Sequence, residues 1–192
     1  ELVSDTPMAY SFRSFAFNGN TSDMVVFKKP ADGCLRIYSP EDSTREFLYS
    51  PRSQFWMAAI PLSNLSRIIA EPEIPAVPAP EYFGAENRDQ WCFYYEKADL
   101  ARQQHNWTET VNLYEEAASA GFKPLMDAEW LPLLDAYLHL GEIEKAVEIT
   151  RLVENKDQTN TAGFCSLWQA AQGEQNVDTF AQESISWLNC RE

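Results

Sequence analysis

The pattern of hydrophobic and polar positions changes in character near residue 88 of this chain. Before residue 50, short runs alternate apolar and polar residues, as half-buried β-strands do. The run "AYSFRSFAF" (9–17) alternates, but its apolar phase shifts at Arg13 and Ser14, which predicts a β-bulge. "NGNTSD" (18–23) predicts a turn, and "MVVF" (24–27) and "CLRIY" (34–38) predict two further strands. Together these segments predict one small antiparallel sheet.

Two segments that contain proline follow the predicted sheet. "QFWMAAIPLSNLSRIIA" (54–70) predicts a helix interrupted at Pro61, because proline inside a regular helix removes a hydrogen bond. "EPEIPAVPAPE" (71–81) then carries four prolines, which favours an extended polyproline II strap. A ligand for a proline-recognition domain is the alternative for this segment, and we favour the strap.

From residue 88 onward the apolar spacing has the 3.6-residue period of amphipathic helices. Helices are predicted at about 89–104, 107–120, 126–140, 143–154, 161–172 and 177–189, joined by short turns. Six such helices stack most simply as three antiparallel hairpins. The prediction is therefore an α+β chain with three parts: a β-rich unit (1–70), a proline-rich linker (71–87) and an all-helical solenoid (88–192).

The helical half repeats itself with an offset of 36 residues, so that Tyr94 falls on Trp130 and Ala98 on Leu134. It resembles the tetratricopeptide repeat, in which aromatic and small residues recur at helical spacing in paired helices. The matching residues of the first copy are Tyr94, Ala98, Tyr114, Ala117 and Pro124, and those of the second are Trp130, Leu133, Tyr137, Gly141 and Ala146. In the second copy, Thr150 and Val153 replace the expected aromatic and alanine, and the third hairpin keeps only "SLWQAAQGE".

This resemblance implies a concave face lined by the first helix of each pair. Such a face, mixing aromatic, acidic, Arg and amide groups, would suit an extended peptide or a partner loop. Ordinary packing between helices is the equal alternative for any one of its positions. The implied lining residues are Tyr95, Asp99, Arg102, Gln103, Leu131, Asp135, Leu138 and His139.

The order of segments carries a second resemblance. A small sheet with "GCLRIY", a proline strap and "WCFYYEKADLARQ" opening a helical array are similar to the C-terminal soluble domain of uncharacterised bacterial multi-span membrane proteins of glycosyltransferase-like type. The resemblance implies a domain displayed outside the cytoplasm, tethered to the membrane through a part not in this chain. It implies no catalytic residue here, because the membrane part would hold the chemistry.

Composition limits the classes of partner that this chain can bind. A net charge of −14 argues against nucleic acid, whose phosphates require a basic footprint. The 45% hydrophobic content is enough for a packed core, and no apolar run reaches the length of a membrane span. The chain also lacks the basic-then-apolar start of a signal peptide. It is therefore expected to be a folded acidic domain, and the pattern makes no prediction about its oligomeric state.

Four cysteines are present, without a CxxC pair or a metal-ligand spacing. They permit two disulfides in an oxidising compartment, or they are small buried hydrophobic residues. Cys165 and Cys190 flank the last predicted hairpin, so we predict that they pair. Cys92 is left as a disulfide partner or a core residue.

No catalytic, cofactor or metal site is predicted. Cys92 and His105 lie on one predicted helix, and a rise of ~1.5 Å per residue separates them by about 20 Å, too far for a dyad. Two histidines without an HxxxH spacing do not make a metal site, and neighbouring carboxylates such as Glu115 and Glu116 indicate solvated helix faces. Phosphate-loop, dinucleotide and serine-hydrolase motifs are absent. An enzyme is not expected.

Three asparagines, Asn20, Asn64 and Asn106, stand in N-x-S/T triplets. These triplets are glycosylation sites only in a glycosylating pathway. Asn106 has an alternative role as the N-cap of the helix that follows, with Glu109 completing a capping box. We favour the cap.

The function expected from these observations is non-catalytic protein–protein interaction, as the extracytoplasmic accessory domain of a membrane protein. One alternative is a carbohydrate- or lipid-carrier-binding module that assists a membrane glycosyltransferase, with Trp91, Tyr94 and Trp130 available to stack sugars. The other is a structural subunit of a cell-surface assembly or filament, for which an acidic, aromatic-rich domain is suited.

Overall fold

The computed structural model describes residues 3–44, 54–69, 79–85, 87–153, 158–172 and 177–190. Two small antiparallel sheets are followed by paired helices, so the α+β fold class is confirmed. Residues 71–78 of the predicted strap (71–81) lie outside the described residues. Its last proline, Pro80, begins a short helix, α2 (Pro80–Phe83).

The first sheet is a hairpin of β1 (Pro7–Phe12) and β2 (Phe15–Asn20). The predicted β-bulge at Arg13 and Ser14 is wrong, because these two residues form the turn of the hairpin. Phe12 pairs directly with Phe15, and Arg13 takes a left-handed φ of 56°. The apolar phase shifts in sequence because the chain reverses direction between the two strands.

The second sheet pairs β3 (Val26–Lys28) with β4 (Arg36–Tyr38), so the single predicted sheet is two. Part of the predicted turn "NGNTSD" extends β2 to Asn20, and the rest is a 3-10 helix at Thr21–Asp23. The second sheet has its own core cluster, which it shares with α1 (Gln54–Ala59) and the 3-10 turn Ile60–Leu62, which contains Pro61. Its buried members are Val26, Tyr38, Ala59 and Ile60.

The helical half consists of α3 (Trp91–Gln103), α4 (Trp107–Ser119), α5 (Leu131–Leu140), α6 (Ile143–Arg151), α7 (Gln158–Ala171) and α8 (Asp178–Leu188). Helices pack in consecutive pairs, and the pairs contact one another through α4 with α5, α5 with α7, and α6 with α8. The helix predicted at about 126–140 begins with a 3-10 turn, Asp127–Trp130, which leads directly into α5. Pro132 then lies in the first turn of α5, where its missing N–H costs nothing.

The core of the helical half explains one departure from the repeat pattern. Thr150, where an aromatic was expected, is fully buried, and its hydroxyl accepts a hydrogen bond of 2.8 Å from the indole N–H of Trp168. The same hydroxyl donates to the Ala146 carbonyl at 2.9 Å. A buried indole N–H needs an acceptor, and threonine supplies it where an aromatic ring could not.

All three asparagines of the N-x-S/T triplets cap a helix. The side-chain oxygens of Asn20 and Asn64 accept from the backbone amides of Ser22 and Ser66, and that of Asn106 accepts from the amide of Glu109. Each triplet therefore has a local structural role, because capping removes an orphan donor from the first turn of a helix.

Candidate functional site

The residues of the predicted concave face lie together on α3 and α5, but the face is not open. Tyr95, Asp99 and Asp135 are each 2% exposed. Arg102, Leu131 and Leu138 are also buried, and the last two belong to the main core. Only Gln103, which is half-buried, and His139, which lies at the rim, reach solvent.

The N-terminal unit (residues 3–44 and 54–69) covers this face. The amide of Gln103 donates to the Ile37 carbonyl of β4 at 2.6 Å. Arg36 on the same strand lies 3.8 Å from the Asp99 carboxylate, and Asp42, from the 3-10 turn Pro40–Thr44, reaches Arg102 at 3.5 Å. The β unit of the chain itself therefore covers the surface that was predicted to bind a partner.

Arg102 is the centre of a buried cluster of charges. Its guanidinium contacts Asp99 at 2.9 Å, Asp135 at 3.4 Å and Asp42 at 3.5 Å, three carboxylates from three segments of the chain. Burial disfavours the charged form, but the three carboxylates outweigh it and raise the pKa of Arg102 above its usual range. With Arg36, the cluster has two positive and three negative groups. The attraction between these charges holds the N-terminal unit on α3 and α5. Because each group must take a fixed position, the cluster also sets the orientation of that unit.

Glu129 forms a second junction between the two halves. It is 4% exposed, and its carboxylate accepts from the Cys34 amide at 2.9 Å and from the indole N–H of Trp91 at 2.7 Å. The amides of Leu125 and Met126 also donate to it, at 2.7 and 3.4 Å. Glu129 therefore satisfies buried donors from both halves of the chain.

A disulfide lies at the same junction. Cys34, just before β4, is bonded to Cys92 at the start of α3. The second disulfide joins Cys165 and Cys190, so the predicted pairing of the last hairpin is confirmed. Four cysteines form two bonds, and no thiol is left for a nucleophile. The Cys92–His105 pair is therefore unavailable for thiol chemistry, as the distance along the helix already indicated.

Both histidines of the chain contact one tryptophan. His139 stacks on the Trp107 ring with centroids 4.0 Å apart, and His105 meets the same ring edge-on at 5.3 Å. His139 also lies 3.3 Å from the Asp135 carboxylate, which links this rim to the Arg102 cluster. Within the described segments, no set of three or more His, Cys, Asp or Glu residues has an arrangement that could hold a metal ion.

The aromatic residues proposed for sugar stacking are engaged in packing. Trp91 is 4% exposed and packs against Tyr95 and Tyr114. Trp130 stacks on Tyr114, with ring centroids 6.3 Å apart, and Tyr94 packs on Phe122. Burial also raises the pKa of the Tyr95 and Tyr114 phenols, because their anions would lose solvation.

A group of exposed apolar side chains lies elsewhere, on the β1–β2 hairpin. Residues paired directly across an antiparallel sheet project from the same face. The register pairs Tyr10 with Phe17 and Phe12 with Phe15, and Met8 shares their face. All five side chains are between 44% and 77% exposed. We call this surface, formed by Met8, Tyr10, Phe12, Phe15 and Phe17, the aromatic face.

The sequence contained a signal for this face. The run "YSFRSFAF" is nearly symmetric about Arg13 and Ser14, with aromatic residues two positions apart on both sides. Symmetry about a polar pair is the pattern of a hairpin with a two-residue turn, whereas a bulge shifts the phase of a strand that continues in one direction. A bulge would have left the aromatic residues along one continuous strand, so the predicted bulge did not show that they pair across a hairpin.

No protein-family model, curated protein or solved structure matches this chain. Among the described helices, none combines the length and apolar character that crossing a membrane requires. The structure on its own defines an α+β domain with two disulfides, in which a β unit lies on the face of paired helices and one aromatic hairpin face is exposed.

Proposed function

We propose that this chain is a non-catalytic protein–protein interaction domain. The observation that carries the proposal is the aromatic face of the β1–β2 hairpin, where five large apolar side chains share one exposed surface. Contiguous exposed apolar patches of this kind mark interaction sites in folded proteins. The surface responsible for binding is then the hairpin, and the face formed by α3 and α5 serves as a support.

The supporting role follows from how the N-terminal unit is held. Arg102, Glu129 and the Cys34–Cys92 disulfide join β4 and its neighbours to the helices. Buried Thr21 then fixes the base of the hairpin: its hydroxyl accepts from the Thr6 amide at 2.9 Å and donates to the Val3 carbonyl at 2.7 Å. A rigid base presents the aromatic face in one orientation, which lowers the entropic cost of binding.

We further propose that the paired helices are a divergent tetratricopeptide-like array and that the domain is the extracytoplasmic accessory part of a membrane protein. Two disulfides support this placement, since such bonds persist in oxidising compartments. Thiol titration of denatured protein isolated from its native host tests it. No reactive thiols are expected, and four would overturn the placement.

The interaction role is tested by site-specific photocrosslinking in the native host. A photoreactive phenylalanine analogue is placed at Phe15 on the aromatic face, and at Phe27 of β3 as the control. Both positions are exposed phenylalanines, at 77% and 58%. Discrete protein adducts from Phe15 and none from Phe27 are expected. Equal adducts from both positions, or no protein adduct from Phe15, would contradict the proposal.

A further inference from the structure

We propose that the aromatic face binds the same face of a second copy of this chain, with the two hairpins antiparallel about a two-fold axis. In this arrangement Arg13 at the tip of each hairpin lies at the opposite end of the contact from Arg13 of the other copy. The inference rests on the proposed interaction function and names its partner.

The size of the aromatic face suits a dimer contact. Five side chains, four of them aromatic, expose on the order of 500 Å² on one face. Two copies would together bury about 1,000 Å², which is near the lower bound for a specific protein–protein interface. Flat aromatic rings on both sides can interleave, and aromatic residues contribute most of the binding energy of such interfaces.

The backbone of the hairpin favours a protein over a lipid surface as the occupant. In the described part of the chain, β1 and β2 pair only with each other, so their outer edges keep unpaired peptide groups. Such groups are costly in hydrocarbon, where no water can satisfy them. A two-stranded ribbon is also marginally stable alone, and a second ribbon covering its apolar face supplies the missing layer.

Charge selects the hairpin as the place where two copies meet. The chain has a net charge of −14, yet Pro7–Asn20 contains no carboxylate and only one charged residue, Arg13. Two copies therefore repel each other least when they approach through this segment.

Charge also selects the antiparallel orientation. Arg13 occupies the turn, where its guanidinium lies 5.2 Å from the centre of its own Phe12 ring. A parallel pairing would place the two arginines together, whereas the antiparallel one keeps them at opposite ends of the contact.

An isologous contact of this kind closes after two copies, because each aromatic face is used up. The inference therefore predicts that assembly stops at a dimer. This separates it from the alternative in which the chain is a filament subunit, since a filament needs two different contact surfaces on each copy.

Sedimentation velocity over a concentration series tests the apolar contact. Phe17→Ser removes one ring from the aromatic face, and Phe27→Ser is the matched control, because both phenylalanines are 58% exposed. We expect the wild-type chain to dimerise and Phe17→Ser to raise the dissociation constant about tenfold or more. Phe27→Ser should change it less than about twofold. Equal weakening by both variants would overturn the inference.

Substitution of Arg13 tests the orientation without removing any ring. In the antiparallel dimer the two arginines lie at opposite ends of the contact, so Arg13→Asn should change the dissociation constant less than about threefold. In a parallel pairing the two arginines would repel each other, and Arg13→Asn would tighten the dimer by more than that. Asparagine tolerates the left-handed φ of 56° at this position. A clear gain in affinity would overturn the antiparallel orientation even if Phe17→Ser failed to fold.

Failure of this inference is distinct from failure of the proposed function. A chain that stays monomeric at every concentration, but crosslinks to another protein from Phe15, would overturn the dimer and keep the interaction role. A monomer that floats with phosphatidylcholine vesicles, and loses this property on Phe17→Ser, would overturn the dimer in favour of a lipid surface. Adducts at Phe15 that have the mass of two chains would support both.

Discussion

The backbone amide of Cys34 donates a hydrogen bond of 2.9 Å to the carboxylate of Glu129, across 95 residues of sequence. One carboxylate thereby joins the N-terminal unit to the turn before α5. Gly33 allows this approach, since a Cβ atom there would lie 3.2 Å from the same carboxylate oxygen and 2.7 Å from the Met126 sulfur. The contact makes the two halves of the chain depend on one buried acceptor.

Glu129→Gln should destabilise the chain by about 1–3 kcal/mol, because the amide group turns one acceptor into a donor that faces buried N–H groups. The indole of Trp91 and the amide of Leu125 are the donors that lose a charged acceptor. Urea unfolding measures the loss. The control is Glu144→Gln on the exposed first turn of α6, expected within about 0.5 kcal/mol of wild type. Equal effects of the two changes would contradict the role given to Glu129.

Arg102→Ala should cost about 3–5 kcal/mol, because it leaves three buried carboxylates without their shared counter-charge. Asp42, Asp99 and Asp135 are all at most 4% exposed at the side chain, so water cannot replace the guanidinium. Arg67→Ala is the control. Arg67 pairs with Asp23 at the surface, where both side chains are about half exposed, and a loss below about 1 kcal/mol is expected. A small loss at Arg102 in chemical unfolding would show that the cluster does not hold the two halves together.

Removal of the Cys34–Cys92 disulfide should destabilise the chain by about 4 kcal/mol on the chain-entropy estimate, and removal of Cys165–Cys190 by about 3.5 kcal/mol. The first bond closes a loop of 58 residues and the second a loop of 25, so the first restricts the unfolded chain more. The two double Cys→Ser variants should also differ in which part of the chain is destabilised. Hydrogen exchange should rise in β4 and α3 for the first, and in α7 and α8 for the second. Faster exchange confined to the last two helices in both variants would contradict the role of the first bond.

Stability should fall as the pH rises above about 10. Burial raises the pKa of the Tyr95 and Tyr114 phenols in the folded chain, whereas unfolded phenols ionise near their usual value. Protons then leave the unfolded state first, so the stabilisation is complete below the unfolded pKa and is lost as the pH increases toward the folded one. Urea unfolding between about pH 9 and about pH 11 measures this slope. The Tyr95→Phe/Tyr114→Phe variant should show a shallower slope, and an unchanged slope would refute the assignment.

Local pattern was enough to predict the helical half. The 3.6-residue spacing and the breaks at Gly121 and Gly141 define helices because both signals act over a few residues. Gly141 ends α5 with a left-handed φ of 72°, which glycine adopts without a steric cost. The Cys165–Cys190 pairing could be predicted for the same reason, since the hairpin between them brings the two ends together.

The contacts between the halves could not be predicted from local pattern. Arg36, Asp42 and Glu129 look like surface residues in sequence, and each becomes buried only because a partner of opposite charge or a donor arrives from a distant segment. The face of α3 and α5 was predicted as a group of residues that share one surface. Its burial under β4 depends on the docking of the N-terminal unit, which the spacing of apolar residues along the chain does not predict.

The disulfide and the Glu129 contact also fix an order of events during synthesis. At ~5–20 residues per second, Cys34 precedes Cys92 by roughly 3–12 s and Glu129 by roughly 5–19 s as the chain emerges. Throughout that interval Arg36 and Asp42 have no helical face to cover, although the strands that carry them are complete. The N-terminal half is therefore synthesised first but is the last to reach its final position, because the helical half, which is made later, provides the surface on which it docks.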